Sequence, residues 1–144
     1  MECVFCGNKD INKRIIVENE LALAFPTNIP VVPGHTLIIP KRHIAKFEDL
    51  SDKEISAIFV LRSRLAGAFK KVFNAEGFNY AWNEGELAGQ SISHFHLHIL
   101  PRSAGDSGVT EYDPRKFLYR PGSREVSPES ELHSVAARIK EALS

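Results

Sequence analysis

The sequence contains no hydrophobic run close to the roughly 18 residues that a membrane-spanning helix needs. Its first residues also lack the basic region and apolar stretch of a secretory signal, so we expect a cytoplasmic protein with no membrane partner. It has no excess of either charge, since 18 Lys and Arg balance 18 Asp and Glu. No net positive field attracts long nucleic acid, and any affinity for phosphate must be local.

Cysteine is scarce. The two cysteines, Cys3 and Cys6, are too few for the disulfide framework of a small secreted protein. In a reducing compartment, a C-x-x-C pair more often serves metal or redox chemistry. With 144 residues, 43% of them hydrophobic and 25% charged, the chain has the composition of a single globular domain, which we place at residues 1–144.

The alternation of apolar runs with turn residues predicts an α+β fold with a largely antiparallel sheet, one long helix and a C-terminal helix. A capping box at Ser51 and Glu54 starts the long helix, which continues to about Asn74. Ser127 is the expected N-cap of the last helix, from Pro128 to Leu143. Strands are predicted at 15–17, 21–25, 35–40, 78–82 and 92–100.

The last of these strands carries three alternating histidines, His94, His96 and His98, which should share one face because side chains alternate along a strand. One interpretation is an exposed row of histidines without chemistry. A second is a metal site of three histidines, although no nearby carboxylate is evident to orient them. A third is nucleophilic catalysis, in which a neutral imidazole attacks phosphorus and water cleaves the phosphoramidate. The third interpretation favours His96, at the centre, as nucleophile.

These residues resemble the histidine-triad (HIT) superfamily, whose signature His-x-His-x-His matches HFHLHIL. The resemblance implies a HIT-like fold with a core over 1–105, followed by an irregular tail and the C-terminal helix over 106–144. It is carried by CVFC at 3–6, VVPGHTLIIPKRH at 31–43, NEG at 83–85, AGQS at 88–91 and HFHLHIL at 94–100.

The resemblance assigns His96 as the nucleophile, His98 as a contact of the scissile phosphate and His35 as support for the triad. The loop before the histidines would contact the phosphate and leaving group, with glycine permitting close backbone approach. Its implied contact residues are Asn83, Gly89, Gln90 and Ser91.

The same resemblance implies an apolar slot for the base, formed by Ile16, Leu23, Phe25 and Ile38. Where the family commonly has an Asp or Asn for the ribose hydroxyls, this chain has Thr27, beside Asn28. Threonine holds only one hydroxyl well. A non-catalytic nucleotide-binding protein therefore remains an alternative to an enzyme.

Relatives that begin with C-x-x-C carry a structural zinc, and the resemblance implies that Cys3, Cys6, His43 and His94 are its ligands here. In that case His94 is a metal ligand and not a catalyst. The alternative is that the two cysteines are small apolar side chains that only fill space beside Val4 and Phe5.

At the third position of the triad this chain has a histidine, His98. The hydrolytic branches of the superfamily also have histidine there, whereas the transferase branch has glutamine. We favour hydrolysis of dinucleoside polyphosphates, with nucleoside phosphoramidate hydrolysis as the alternative. Family members are generally homodimers, which we expect here. Five basic residues after the histidines could bind the distal phosphates, or they could be solvated surface. They are Arg102, Arg115, Lys116, Arg120 and Arg124.

Overall fold

The computed structural model describes residues 3–107 and 125–143. They form five strands and three α-helices, with short 3-10 turns at Phe47–Asp49 and Glu86–Ala88. The elements in chain order are α1 (Lys9–Lys13), β1 (Val17–Glu18), β2 (Ala22–Pro26), β3 (Thr36–Pro40), α2 (Asp52–Val72), β4 (Gly77–Ala81), β5 (Leu97–Arg102) and α3 (Glu129–Ala142).

The five strands form one sheet in the order β1-β2-β3-β5-β4, and every neighbouring pair is antiparallel. This confirms the predicted α+β fold with an antiparallel sheet. Strand β3 is central and all five of its residues are buried. Its register with β5 places Leu37 opposite His98 and Ile38 opposite Leu97. The strand before α2 is therefore paired directly with the histidine strand.

The two faces of the sheet are packed differently. One face lies against α2, and its cluster includes Ala24, Ile38, Leu97 and Ile99. On the other face, residues of β2 and β3 pack against Phe5 and Ile11 from the N-terminal segment. This smaller cluster comprises Phe5, Ile11, Leu23, Phe25, Leu37 and Ile39. Since His98 alternates with Leu97 and Ile99, its side chain lies on this second face.

The long helix begins as the sequence predicts. The Ser51 hydroxyl accepts the Glu54 N–H at 3.1 Å, and the Glu54 carboxylate accepts the Ser51 N–H at 2.9 Å, which completes the capping box. The helix ends at Val72, within two residues of the predicted end. Its buried stripe, at three- and four-residue spacing, includes Ile58, Leu61, Leu65 and Phe69.

The histidine strand is shorter than predicted, because β5 begins at Leu97 and residues 92–96 lie outside it. Pro40, which ends β3, has no N–H to donate to a neighbouring strand. Its carbonyl instead accepts the His94 side chain at 2.8 Å. Continued pairing of the two strands is thereby replaced by a side-chain contact.

The start of the last helix also differs from prediction. Helix α3 begins at Glu129 with Pro128 as its N-cap, not Ser127. The Ser127 N–H is bonded to the Asn28 carbonyl at 2.7 Å, which holds this residue in the segment before the helix. Helix α1, capped by the Asn8 side chain, was not predicted at all. In the described part of the chain, no helix combines the length and hydrophobicity needed to cross a membrane.

The capping box is linked to the segment that follows β3. The buried Glu54 carboxylate accepts two hydrogen bonds from Arg42, at 2.6 and 3.2 Å. The Arg42 guanidinium lowers the pKa of Glu54 from 4.5 to about 2, assisted by the bonds from Ser51. Glu54 therefore caps α2 and holds the residue next to His43.

We predict that Glu54→Gln lowers the free energy of unfolding by about 1–3 kcal/mol at neutral pH, because it removes a charged acceptor of several hydrogen bonds. Since the folded state depresses the pKa of Glu54, its contribution is complete above pH 4.5 and disappears as the pH falls toward about 2. Urea unfolding of both proteins between pH 2 and 7 measures this. Glu20→Gln changes an exposed carboxylate that forms no ion pair with another described residue, and it should change stability little. A constant difference across the pH range contradicts the assignment.

Candidate active site and metal-binding cluster

His35 is placed by a glycine turn at the start of β3. Gly34 has φ +89, a conformation that L side chains rarely adopt. A Cβ at this position would lie 2.6 Å from a ring carbon of Phe73, so a side chain has no room there. The turn directs the buried His35 toward the second face of the sheet, where His98 lies.

A directional hydrogen-bond chain passes from the backbone through His35 to His98. The Val31 N–H donates to His35 Nδ1 at 3.0 Å, so in neutral His35 the proton lies on Nε2. His35 Nε2 is 2.8 Å from His98 Nδ1 and donates to it. His98 in turn carries its proton on Nε2. The backbone amide of one residue thus determines the tautomer of two imidazoles.

His96 has the opposite tautomer. Its Nδ1 lies 2.8 Å from the His94 carbonyl oxygen, which can only accept, so Nδ1 carries the proton. The lone pair of neutral His96 is therefore on Nε2, which makes this atom a nucleophile. The His96 and His98 rings meet edge to face with centroids 5.0 Å apart. A nucleophilic nitrogen and a donor N–H thus belong to adjacent imidazoles.

The three histidines of the motif are buried, with relative exposures of 1% for His94, 5% for His96 and 1% for His98. The interpretation as an exposed row is therefore wrong. A metal site made of these three is not supported either, since His94 alone of the three belongs to the group of possible ligands found among residues 3–107 and 125–143. The burial instead supports a defined constellation, because buried polar groups require partners.

Cys3, Cys6, His43 and His94 can hold a metal ion, with one ligand atom from each and all four atoms within 4.8 Å of one another. The His94 Nδ1 lies 3.5 Å from both sulfur atoms and 3.3 Å from His43 Nδ1. Because His94 Nε2 donates to the Pro40 carbonyl, its Nδ1 lone pair faces the cluster. The sequence prediction that these four residues come together is confirmed.

The shifted pKa values of this cluster favour the neutral forms of its His94 and Cys6 side chains. Burial lowers the pKa of His94, and the neighbouring His43 adds to this effect against the bond to Pro40. Burial also raises the pKa of the Cys6 thiol, and the adjacent Cys3 raises it further. The first shift disfavours a positive charge on His94, and the second disfavours a negative charge on Cys6. A bound metal ion would relieve the thiolate repulsion while using the neutral imidazole as a ligand.

A cavity of about 260 Å³ lies on the second face of the sheet, where Phe5, Phe25 and Leu37 contribute to its lining. Phe5 lines this cavity and lies edge-on to Phe25 and to His96, with ring centroids 5.5 and 5.3 Å away, so one side chain contacts both the cavity and the nucleophile. The residues that line it are Val4, Phe5, Asn8, Asp10, Ile11, Arg14, Phe25, Thr27, Asn28, Leu37, Ile92 and Glu129. This lining combines apolar side chains with polar and charged ones, which small-molecule sites also do.

Some predicted base contacts lie at this cavity and others do not. Phe25, Thr27 and Asn28 line it, and Leu23 packs in the adjoining cluster. Ile16 and Ile38 instead belong to the core cluster against α2, so their assignment to the base slot is corrected. The reason for Ile38 is strand alternation, since only Leu37 and Ile39 of β3 lie on the cavity side.

The loop before the histidines is held by the Gln90 side chain. Its Oε1 accepts the Gly85 N–H at 2.8 Å, and its Nε2 donates to the Ala45 carbonyl at 3.0 Å. Gly89 has φ +97 and ends the 3-10 turn of this loop. Ser91 is exposed and Asn83 partly buried. The structure thus assigns Gln90 a role in closing the loop, and the predicted phosphate contacts of the four residues remain predictions.

Arg102 is engaged by its neighbours. Its guanidinium donates to the Asp106 carboxylate at 2.8 and 2.9 Å and to the Asn79 side chain at 2.8 Å. These bonds account for its position at the end of β5 without a phosphate. The other predicted phosphate contacts, Arg115, Lys116, Arg120 and Arg124, lie outside the described residues.

Most residues of the cavity wall lie outside the motifs from which the site was predicted. Helix α1 contributes Ile11, and its C-cap Arg14 is buried at the cavity edge. Asn8, which accepts the N–H groups of Asp10 and Ile11, is a recognisable N-cap before a short helix and could have revealed this element. Glu129 reaches the cavity from α3, and no local pattern indicates that contact.

Comparison with known protein families matches the HIT domain over residues 8–105. The chain belongs to the HIT family. A HIT-like protein of Mycoplasma genitalium, named as uncharacterized, is 43% identical over 102 residues, which are 69% of this chain and 72% of that one. A bis(5'-adenosyl)-triphosphatase of Dictyostelium discoideum is 31% identical over 81% of this chain and 75% of its own.

Two further similarities bear on the reaction and on the metal. An adenosine 5'-monophosphoramidase of Schizosaccharomyces pombe is 35% identical, covering 76% of this chain and 80% of its own. The crystal structure of a zinc-bound histidine triad family protein from Mycobacterium smegmatis matches with a TM-score of 0.74 and 28% identity over 99% of this chain and 94% of that chain. The HIT-like fold predicted from the sequence is therefore confirmed.

We predict that the buried histidines have opposite tautomers at a pH where they are neutral. His96 should be protonated on Nδ1, which faces a carbonyl acceptor, whereas His35 and His98 should be protonated on Nε2, because the Nδ1 of each accepts a hydrogen bond. Long-range proton–nitrogen NMR correlation of ¹⁵N-histidine protein measures this directly. An Nε2-protonated His96 contradicts the assignment of the nucleophilic atom.

Proposed function

We propose that this protein hydrolyses dinucleoside polyphosphates, such as diadenosine tri- or tetraphosphate, through a covalent nucleotidyl intermediate on His96. The observation that carries the proposal is the fixed tautomer of His96. Its Nδ1–H is bonded to the His94 carbonyl, so the lone pair of the neutral imidazole, which attacks phosphorus, is on Nε2. The buried wall of Phe5 beside this imidazole limits access of water from that side.

In the first step, His96 Nε2 forms a bond to the α-phosphorus and the bond from phosphorus to the bridging oxygen breaks. The electron pair leaves on the oxygen of the departing nucleotide. The positive charge that develops on His96 is stabilised by the His94 carbonyl, which accepts the Nδ1–H at 2.8 Å. His98, held by His35, presents its Nε2–H as a donor to the phosphate oxygens.

In the second step, water attacks the same phosphorus and the phosphorus–nitrogen bond breaks, so that its electron pair returns to Nε2. The proton lost by water passes to solvent, and a nucleoside monophosphate is released. The hydrogen bonds at His35 and His98 are the same in both steps. The hydrogen-bond chain that starts at the Val31 N–H therefore keeps His98 in the tautomer that donates from Nε2 throughout the cycle.

The relatives support a nucleotide hydrolase and leave two candidate reactions. One similar protein is named a bis(5'-adenosyl)-triphosphatase and another an adenosine 5'-monophosphoramidase. Phosphoramidate hydrolysis uses the same attack by His96, with an amine as leaving group in place of a phosphate oxygen. We favour the polyphosphate because the VVPGH run and the segment after the histidines resemble that branch.

We also propose that the four-residue cluster holds a structural zinc ion. With Zn–N bonds of about 2.0–2.1 Å and Zn–S bonds of about 2.3 Å, tetrahedral zinc requires N···N separations of about 3.3 Å and N···S separations of about 3.5 Å. The His43 and His94 nitrogens are 3.3 Å apart, and Cys6 is 3.5 Å from each of them. These separations equal the edges of a zinc tetrahedron, and the related structure that contains zinc supports the same metal.

We propose that the protein is a homodimer that pairs along α2 and the edge of the sheet. Strand β4 is last in the strand order, so one of its edges has no neighbour in the described sheet. Large apolar side chains are exposed on β4 and on α2, including Tyr80, Phe59 and Val60. Association would cover these side chains and the strand edge.

We predict that His96→Ala reduces hydrolysis of diadenosine tri- and tetraphosphate by at least about 1,000-fold, because no nucleophile replaces the imidazole. Intact mass spectrometry during turnover should show a transient nucleoside monophosphate adduct on the wild type and none on the variant. Glu20→Gln, which changes an exposed carboxylate outside the cavity, should retain full activity. Equal activity of wild type and His96→Ala would mean a non-catalytic nucleotide-binding role or another mechanism. Much faster cleavage of adenosine phosphoramidate would instead select the alternative reaction.

We predict that the purified protein contains one zinc ion per chain and that Cys6→Ser lowers its zinc affinity at least tenfold, because one of four ligands is lost. Elemental analysis together with a competing chelator measures both. His133→Ala should keep its zinc, since that residue is not among the four possible ligands. Wild-type protein without zinc after metal-supplemented expression contradicts this assignment.

A further inference from the structure

We propose that Arg14 and Glu129 form a base-reading pair at the edge of the cavity and that they favour guanine over adenine nucleotides. This inference rests on the proposed function, because it takes the cavity beside His96 as the nucleoside site. It concerns two residues that lie outside the histidine motif and the metal cluster. It also brings the C-terminal helix, which follows the matched HIT domain, into substrate recognition.

The pair is well defined. Arg14 is only 5% exposed, and its Nη1 lies 3.1 and 3.0 Å from the two carboxylate oxygens of Glu129. Its Nε donates to the Pro26 carbonyl at 3.0 Å, which fixes the guanidinium at the end of β2. The guanidinium carbon lies 5.7 Å from the centroid of the Phe25 ring. A cation is thereby held beside an aromatic wall of the cavity.

The position of Glu129 is fixed from the backbone as well. It is the first residue of α3, and just before it the Ser127 N–H is bonded to the Asn28 carbonyl at 2.7 Å. Asn28 itself lines the cavity. The segment that carries Glu129 is therefore attached to the cavity wall, and it does not reach the site through its side chain alone.

The pair retains hydrogen-bonding capacity toward a ligand. Arg14 contacts Glu129 through Nη1, and its Nη2 donates to no other described residue. Besides Arg14, the His133 ring lies near Glu129, with Nε2 3.4 Å from Oε1. A carboxylate has about four lone-pair positions, so these two partners do not saturate Glu129. Glu129 is 43% exposed, which leaves its oxygens accessible from the cavity side. The pair thus offers donors and acceptors next to one another.

Guanine is the base whose edge matches this arrangement most fully. Its Watson–Crick edge presents two adjacent donors, N1–H and the exocyclic amine, followed by the O6 acceptor. Glu129 can accept from both donors while Arg14 donates to O6. Adenine offers one donor group and one acceptor on that edge and cannot engage the carboxylate twice. A site that hydrogen-bonds a group of one substrate rejects the analogue without it.

The test compares binding of guanosine monophosphate and adenosine monophosphate to the full chain by calorimetry. The wild type should bind the guanosine nucleotide about tenfold more tightly. Glu129→Gln should lose most of this preference, because the amide has a single acceptor oxygen and adds a donor that repels N1–H. Glu131→Gln changes an exposed carboxylate two residues further along α3, outside the cavity, and should retain the preference.

A destabilised helix would weaken the binding of both nucleotides equally, whereas the proposal requires a change in the ratio of the two affinities. If the wild type and Glu129→Gln each bind the two nucleotides with affinities within twofold of each other, the base-reading role is wrong while the hydrolase proposal stands. If neither nucleotide binds, the cavity is not the nucleoside site and the base-reading role fails with it. The proposed hydrolysis is decided separately, by turnover of the wild type and the covalent adduct on His96.

Discussion

A buried imidazole must satisfy both of its ring nitrogens, and this constraint organises the second face of the sheet. Backbone carbonyls can only accept and backbone amides can only donate, so each contact with the main chain determines where an imidazole carries its proton. The Val31 N–H does this for His35 and, through it, for His98. The His94 carbonyl does it for His96. The nucleophile and the donor thus obtain different tautomers from two different main-chain groups.

His94 connects the two chemical features of the molecule. Its side chain belongs to the metal-binding cluster, while its carbonyl accepts the Nδ1–H of His96. Its Nε2 is bonded to the Pro40 carbonyl, at the point where pairing of β3 ends. The cluster therefore positions the main chain that orients the nucleophile. A structural metal at this place would stabilise the N-terminal segment and the tautomer of His96 together.

The cavity is assembled from parts that are remote in sequence. Phe5 comes from the segment between the cysteines, Phe25 and Leu37 from neighbouring strands, and Glu129 from the last helix. Its walls depend on the pleat of β2 and β3, which directs alternate residues toward it. Because adjacent residues of a strand point to opposite faces, Leu37 lines the cavity whereas its neighbour Ile38 packs against α2.

Local patterns in the sequence were sufficient for the family fold, the capping box at Ser51, the alternation of His96 and His98, and the grouping of Cys3 and Cys6 with two histidines. Each of these depends on short-range periodicity, capping or the family motif. Tertiary structure alone decided the tautomers, the early end of strand pairing at Pro40, the location of Ile16 and the approach of Glu129 to Arg14. These depend on contacts between residues as far apart as 115 positions, which no local pattern encodes, because side-chain partners are determined by the packing of whole elements.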